Sequence, residues 1–271
     1  MAANLAPTRF RHMSEQVGRK FAAGVEDFGY AAALLGESLF WIVFGPLLKQ
    51  RVRLHAVFSE MMSIGVQAIP VLSILALAIG AMMAMQGIYT MQDFGAESQI
   101  VNVVATSVTR EFGVLIAGIV VAGRSGSAIA ARIGTMQMAQ EIDALRVMGI
   151  APVRYLVAPV LIAMLVMMPI LTILSDCMAI LGGSVLAVTE LHISMEAYFD
   201  RVLVVLEPID VWQGLIKSLV FGVLITLVAT SNGFSAAGGA EGLGRSTTRS
   251  VVLCIGAIVV ADMIFTFFLV Q

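Results

Sequence analysis

The chain has 271 residues, of which 59% are hydrophobic and only 13% are charged. A soluble protein of that composition would aggregate, so the sequence excludes a soluble globular protein and predicts an all-α polytopic membrane protein. The formal net charge of −2 is uninformative by itself, since in a membrane protein the placement of charge matters more than its sum. No nucleic-acid partner is expected.

Residues 1–54 are predicted to form an N-terminal cytoplasmic segment. The first twenty residues contain no apolar core of the length that a signal peptide needs, so we expect the segment to be neither cleaved nor exported. Residues 21–48 are largely apolar, and a sixth span is one interpretation of them. Basic residues flank this stretch on both sides, however, and a crossing would place one basic group on the wrong face. We therefore favour an interfacial or re-entrant helix along the cytoplasmic leaflet, anchored by Trp41.

Residues 55–271 contain the predicted membrane domain. Five charge-poor segments have the ~20-residue length that a ~30 Å hydrocarbon core demands, at 63–90, 98–122, 156–189, 212–231 and 248–270. The connections at 91–97 and 190–211 are acidic, whereas those at 123–155 and 232–249 carry arginines. The positive-inside rule assigns the basic connections to the cytoplasm, so we expect a cytoplasmic N-terminus and a C-terminus outside.

A short amphipathic segment, QEIDALRVMGI at 140–150, lies between two apolar spans. Its apolar residues Ile142, Leu145 and Met148 recur every three positions, with charged residues between them, which predicts a helix with one apolar side. The segment is too short and too charged to cross a bilayer. We expect it to offer its apolar side to a soluble partner, and a Leu145→Asp change to release that partner.

Several charged residues fall inside the predicted spans, where exposure to lipid costs roughly 2.5–3.5 kcal/mol each on insertion scales. Arg110 and Glu111 lie near the middle of the second span and point ~100° apart, so each needs its own partner. Two interpretations stay open: a polar lining of a substrate chamber, and a buried lock between helices. The sequence offers Arg110 no evident charge partner. For Lys217, a structural ion pair with Asp176 or Asp262 is favoured.

The outer end of the first span is rich in methionine. Methionine side chains are flexible and polarizable, which suits a surface that accepts variable acyl chains, although ordinary packing is the alternative. With the charged pair of the second span, these residues define a candidate lipid-binding site made of Met82, Met85, Gln86, Ile88, Tyr89, Arg110, Glu111 and Leu115.

Enzymatic machinery is absent from the sequence. A phosphate-binding loop needs Gly-Lys-Ser/Thr, and none of Lys20, Lys49 and Lys217 follows a glycine, so the chain is not a P-loop ATPase. The three histidines are scattered, and no nucleophile and base recur in a recognisable arrangement. Cys177 and Cys254 lie in apolar spans, where we expect small hydrophobic residues rather than a disulfide or a metal site.

Seven sequence motifs, in order, resemble the MlaE family of ABC transporter permeases over about residues 55–270. They are REFG at 110–113, AGRSGSAIAARIGTM at 122–136, EIDALRVMGI at 141–150, LGGS at 181–184, LIKS at 215–218, NGF at 232–234 and GRSTTRSVV at 244–252. The chain departs from the family pattern at Ala151, where an acidic residue is usual, and after Pro159, where an arginine commonly follows.

The resemblance implies a permease subunit in the bacterial inner membrane that moves phospholipids to or from a periplasmic MCE-domain carrier and maintains outer-membrane lipid asymmetry. It implies a homodimer, a cytoplasmic ABC ATPase (MlaF-like) that binds the ATP, an MCE-domain protein (MlaD-like) and a small ATPase-associated protein (MlaB-like). No cofactor is expected in this chain. The family's coupling helix, which docks the ATPase, coincides with Glu141, Asp143, Leu145, Arg146, Met148 and Gly149, and its N-terminal interfacial helix with 21–48.

Two other functions remain open. The same architecture serves importers of a different lipid, such as a sterol or a fatty acid. An ion-coupled secondary transporter is the other, with Glu111, Asp176 and Asp262 as proton sites. Against it, the spans show no evident inverted repeat, and such a carrier needs no exposed coupling helix.

Overall fold

A computed structural model describes residues 24, 29–45, 50, 52–92, 95 and 99–269. The predicted cytoplasmic residues 1–23 lie outside this described part, as do Asp93 and Glu97 of the first acidic connection and the C-terminal Gln271. Within it, every regular element is a helix.

Five helices are long and apolar enough to cross a membrane, and each overlaps one predicted span. They are α2 (Leu54–Gln92), α3 (Ile100–Met138), α5 (Val153–Leu191), α7 (Pro208–Phe234) and α8 (Gly239–Leu269). Three shorter helices are α1 (Gly29–Phe44), α4 (Glu141–Val147) and α6 (Met195–Val205). The predicted all-α fold with five spanning helices is thereby confirmed.

The spanning helices are longer than the sequence predicted. Helices α2, α3 and α5 have 39 residues each, about 58 Å at 1.5 Å per residue, nearly twice a ~30 Å hydrocarbon core. Helix α3 continues to Met138 and α8 begins at Gly239, so parts of the connections predicted at 123–155 and 232–249 are helical. Charged residues mark where a helix leaves the lipid, but they do not end it.

The bundle has two ends with opposite charge. We call the end with α4, the start of α5 and the connection between α7 and α8 the basic end, because it carries arginines of the two basic connections. We call the end with α6 and the start of α7 the acidic end, because it carries Glu196, Asp200 and Glu207.

Helices α2 and α5 cross closely at two glycines. A Cβ atom added at Gly80 would lie 1.9 Å from the carbonyl oxygen of Ala179, and one added at Gly182 would lie 2.0 Å from that of Leu77. Helices inside a bilayer associate through close backbone contact rather than through the hydrophobic effect. The LGGS motif is therefore a helix-crossing point, which holds α5 in the centre of the bundle.

Helix α1 packs on the start of α5 at the basic end. Its Leu34 is buried against Val153, Val157 and Leu227, and the Arg154 guanidinium lies 5.1 Å from the centre of the Trp41 ring. The position of this helix at the basic end, beside the start of α5, favours the interfacial interpretation over a sixth span.

Candidate functional site

A polar cluster joins α3, α7 and α8 inside the bundle. Its centre is Lys217, whose side chain is only 1% exposed and whose Nζ lies 2.6 Å from Glu111 Oε2 and 3.0 Å from Asp262 Oδ1. Lys217 also donates hydrogen bonds to Thr266 Oγ1 at 3.2 Å and to the carbonyl oxygen of Arg110 at 3.3 Å. The Thr266 hydroxyl donates in turn to Glu111 Oε1 at 3.0 Å. We call Glu111, Lys217, Asp262 and Thr266 the polar cluster.

A π-helical turn in α3 positions the cluster. Residues Val108–Phe112 form this turn, which holds one more residue than an α-helical turn and so redirects the side chains that follow. The wider turn presents the Arg110 carbonyl to Lys217 and both charged side chains of the REFG motif to α7. π turns occur frequently at functional sites, and no periodicity in the sequence could have revealed this one.

The charges of the polar cluster do not balance. One ammonium faces two carboxylates in a largely buried position, so the negative charge of each acid is neutralised only by Lys217. A buried ion pair adds little stability compared with apolar residues of the same volume, but removal of one partner is strongly destabilising. The pairing of Lys217 with Asp262 follows one of the two alternatives that the sequence left open, and Glu111 is an additional partner.

Arg110 has a protein partner that sequence reasoning missed. Its Nε lies 2.7 Å from Asp210 Oδ1, and the Asp210 side chain is buried while that of Arg110 is 43% exposed. Asp210 is in the first turn of α7, where its other oxygen accepts from the backbone N–H of Glu207 at 3.2 Å in a capping box. Acidic residues are stable at this position. The Glu207-Pro-Ile-Asp210 sequence is a usable signal for this helix start, which lies within the acidic connection predicted at 190–211.

This partner also locates Arg110 relative to α7. Asp210 lies in the first turn of α7 at the acidic end, so the Arg110 guanidinium contacts α7 at that end. Only its Nε is engaged with Asp210. Within the described residues, the structure gives the two terminal nitrogens of this guanidinium no hydrogen bond. A half-exposed guanidinium with free donors can bind an anionic oxygen group in a bidentate manner.

The predicted lipid-binding residues of α2 divide between two sides of the helix. Met82, Met85, Gln86 and Tyr89 are exposed and face away from the bundle. Ile88 is buried in the core beside Ile100 and Val101 of α3, so it does not share their surface. The 3.6-residue period of the helix explains this separation, because successive residues in the predicted run point ~100° apart. Leu115 of α3 is half-buried against the core.

Asp176 of α5 has no ion pair with Lys217, which corrects that part of the sequence interpretation. Its carboxyl group lies instead against Gly113, immediately after the π turn, and its Oδ1 is buried without a hydrogen-bond partner. The ammonium of Lys217 is directed to Glu111 and Asp262.

Helix α4 turns its apolar side toward the protein. Ile142 is fully buried and Leu145 is only 8% exposed, whereas Val147 and Met148 are 88% and 63% exposed. The expectation that Leu145 lies on a docking surface is therefore wrong, because the Ile142/Leu145 pair attaches the helix to the bundle. The surface that α4 and the two residues after it offer consists of the exposed residues Glu141, Asp143, Ala144, Arg146, Val147, Met148 and Gly149.

Local backbone geometry bounds α4 at both ends. Gln140 before it and Gly149 after it have left-handed φ angles of 59° and 73°, and a glycine accepts such an angle at little cost. Arg146 pairs with Asp143 at 2.9 Å. Burial raises the pKa of Tyr30 in α1, and the Arg146 guanidinium opposes that rise, so the start of α1 lies close to α4.

Comparison with known proteins identifies the family. The family model described as Permease MlaE matches residues 57–268. A probable ABC transporter permease protein of Rickettsia prowazekii is 36% identical over 230 residues, covering 84% of this chain and 89% of that protein. The intermembrane phospholipid transport system permease protein MlaE of Haemophilus influenzae is 32% identical over 245 residues, covering 89% and 93%.

A plant relative extends the comparison. The chloroplast protein TRIGALACTOSYLDIACYLGLYCEROL 1 of Arabidopsis thaliana is 32% identical over 225 residues, covering 83% of this chain and 64% of that protein. The five apolar helices agree with a permease. The family model matches about four fifths of the sequence, and the relatives are more than 30% identical over most of the chain, so the chain belongs to the MlaE family of ABC transporter permeases.

Proposed function

We propose that this protein is the permease subunit of an inner-membrane ABC transporter that moves phospholipids between that membrane and a periplasmic MCE-domain carrier, and so maintains outer-membrane lipid asymmetry. The observation that carries the phospholipid assignment is the half-exposed Arg110 at the acidic end of the bundle. Its terminal nitrogens suit a phosphate oxygen, which a sterol lacks. The Haemophilus relative, named for intermembrane phospholipid transport, supports the same substrate class.

A separate ATPase supplies the energy in this proposal. Moving a two-chain lipid out of the bilayer exposes acyl groups at about 0.8 kcal/mol per CH₂, and the described residues contain no phosphate-binding loop sequence. The exposed residues of α4, at the basic end, provide a docking surface for a cytoplasmic ABC ATPase. A small ATPase-associated protein would join on that side, and ATP would be bound by the partner alone.

A homodimer and an MCE partner complete the proposed assembly. Helices α2 and α8 are the least buried of the five spanning helices and expose apolar side chains, including Met82 and Met85 of the candidate lipid surface. A closed two-fold dimer through such faces would present two equivalent α4 surfaces to a pair of ATPase subunits. The acidic end, with Arg110 and the exposed side of α6, would face the MCE-domain protein.

The orientation follows from charge, and cysteine labelling tests it. In a variant with Cys177 and Cys254 replaced by alanine, Glu196→Cys on α6 is expected to react with a membrane-impermeant maleimide in intact spheroplasts. Asp143→Cys on α4 is the matched site at the other end and is expected to react only after permeabilisation. Labelling of Asp143→Cys in intact spheroplasts would show that the topology is inverted.

Lipid content tests the phospholipid role of Arg110. We expect Asp210→Asn to retain bound phospholipid in a complex purified in mild detergent, and Asp210→Asn combined with Arg110→Gln to lose most of it, measured by lipid mass spectrometry. The Asp210→Asn background matters because Arg110→Gln alone leaves a buried acid unpaired. Arg201→Gln, an exposed arginine at the same end, is the control. Wild-type phospholipid content in the double variant would contradict this role.

A further inference from the structure

Asp176 is a buried acid that neither the polar cluster nor the Arg110 pair uses. It lies inside the spanning helix α5, is 9% exposed, and its Oδ1 has no accessible surface and no hydrogen-bond partner. A Cβ atom added at Gly113 would lie 1.6 Å from this oxygen. The carboxyl group therefore occupies the volume that any side chain at position 113 would fill, in direct contact with the backbone of α3.

The cations of the neighbouring helices are engaged elsewhere. Lys217 of α7 lies between the carboxylates of Glu111 and Asp262, and Arg110 of α3 is paired with Asp210. Each of these contacts is 3.0 Å or shorter. Asp176 consequently has no counter-ion among the described residues of these helices.

The remaining described elements packed on this part of α5 leave no cation for Asp176. Helix α2 has no Asp, Glu, Lys or Arg after Glu60, which pairs with Arg132 at the basic end. From α6, the buried Tyr198 donates its hydroxyl to the Ile180 carbonyl, and the exposed Arg201 donates to Asn102 Oδ1 of α3 at 3.0 Å. On α5 itself, the neighbouring titratable residue is Cys177, whose thiol group carries no positive charge.

An ionised carboxylate in this position would be desolvated by the bundle without any compensation. Such a charge is so unfavourable in an apolar interior that the group takes up a proton instead. We propose that Asp176 is a proton-binding site, and that in this arrangement its side chain is a neutral carboxylic acid. Its proton stabilises the contact between α5 and the end of the π turn, because an ionised group would draw in water and separate the acid from Gly113.

The site of this contact gives the proton a functional consequence. Gly113 directly follows the π turn that carries Arg110 and Glu111. A separation of Asp176 from Gly113 would therefore release the turn that positions the Arg110 guanidinium and the Glu111 carboxylate. Protonation of Asp176 favours the described arrangement of the polar cluster, and loss of the proton favours its rearrangement.

Infrared spectroscopy of the detergent-purified protein tests the protonation state. The spectrum of the wild type minus that of Asp176→Asn is expected to contain a carboxylic acid C=O stretching band at neutral pH, which shifts on exchange into D₂O. Asp176→Asn keeps the shape of a neutral carboxyl group, so we expect it to assemble and to melt at or above the wild-type temperature. A difference spectrum with only carboxylate bands would overturn the proposal, and so would a loss of assembly in Asp176→Asn.

A rescue experiment tests the packing independently. Gly113→Ala is expected to lower the melting temperature, because its methyl group would overlap the Asp176 carboxyl group, and Asp176→Ala in the same chain is expected to restore it. Gly123→Ala in the same helix is the control, since an added Cβ there meets nothing within 4 Å. Failure of Asp176→Ala to rescue Gly113→Ala would show that the carboxyl group does not occupy this volume. These readouts do not depend on the transported substrate, so they can fail while the proposed function stands.

Discussion

Replacement of Lys217 by methionine is expected to abolish recovery of the folded protein. The change leaves Glu111 and Asp262, which now share one ammonium, without compensation in the interior of the bundle. Breaking a buried pair in this way costs roughly 3–5 kcal/mol, and whole domains are stable by only about 5–15 kcal/mol. Size-exclusion profiles of a fluorescent fusion in mild detergent, followed over a temperature series, measure the loss.

A neutral version of the polar cluster is the control. Lys217→Met combined with Glu111→Gln and Asp262→Asn removes both the ammonium and the charges that need it, and we expect it to recover most of the folded protein. Arg201→Met removes an exposed cation at the acidic end and is expected to have little effect. A wild-type melting temperature for Lys217→Met alone would mean that the two acids do not depend on the lysine. If the neutral version folds but fails to transport, the charges serve the transport cycle.

The sequence was sufficient for the five spanning helices because the bilayer imposes a length that only apolar segments such as 156–189 satisfy. It was not sufficient for the ends of those helices. Arg132 and Arg245 lie within α3 and α8, and hydropathy cannot distinguish a polar stretch of helix from a loop.

The candidate site was only partly predictable for two physical reasons. Asp210 lies within the acidic connection predicted at 190–211, but the structure places it in the capping box of α7, where it pairs with Arg110. Thr266, a member of the polar cluster, has no distinguishing local pattern, because its role depends on α8 meeting α3 in space. A partner held in position by helix packing is visible only in three dimensions.

The amphipathic pattern of α4 predicted a helix correctly but not the surface that its apolar side contacts. Periodicity shows that Ile142 and Leu145 share a face of the helix. The spacing of apolar residues does not depend on whether that face contacts a partner or the rest of the chain. The structure shows that it meets the chain. The apolar residues exposed at the C-terminal end of α4 are Met148, one of the predicted docking residues, and Val147, which was not among them.

An acidic substitution on each side of α4 distinguishes the roles of its exposed and buried residues. Met148→Asp is expected to leave the permease folded and inserted but to release most of the cytoplasmic ATPase, because a charge would then face the apolar part of the proposed interface. Leu145→Asp is expected to lower the melting temperature of the permease itself, since it buries a carboxylate without a partner. Copurification of the ATPase and the melting temperature, measured on the same samples, distinguish the two effects.

Asp143→Asn provides the matched control on the exposed side. It breaks only the solvent-exposed pair with Arg146, which is worth ~0–1 kcal/mol, so both the melting temperature and ATPase binding should stay near wild type. If Met148→Asp still copurified the ATPase at the wild-type level, the partner would have to dock elsewhere on the basic end. If Leu145→Asp released the ATPase without any loss of stability, the apolar side of α4 would have to turn outward in the assembled transporter.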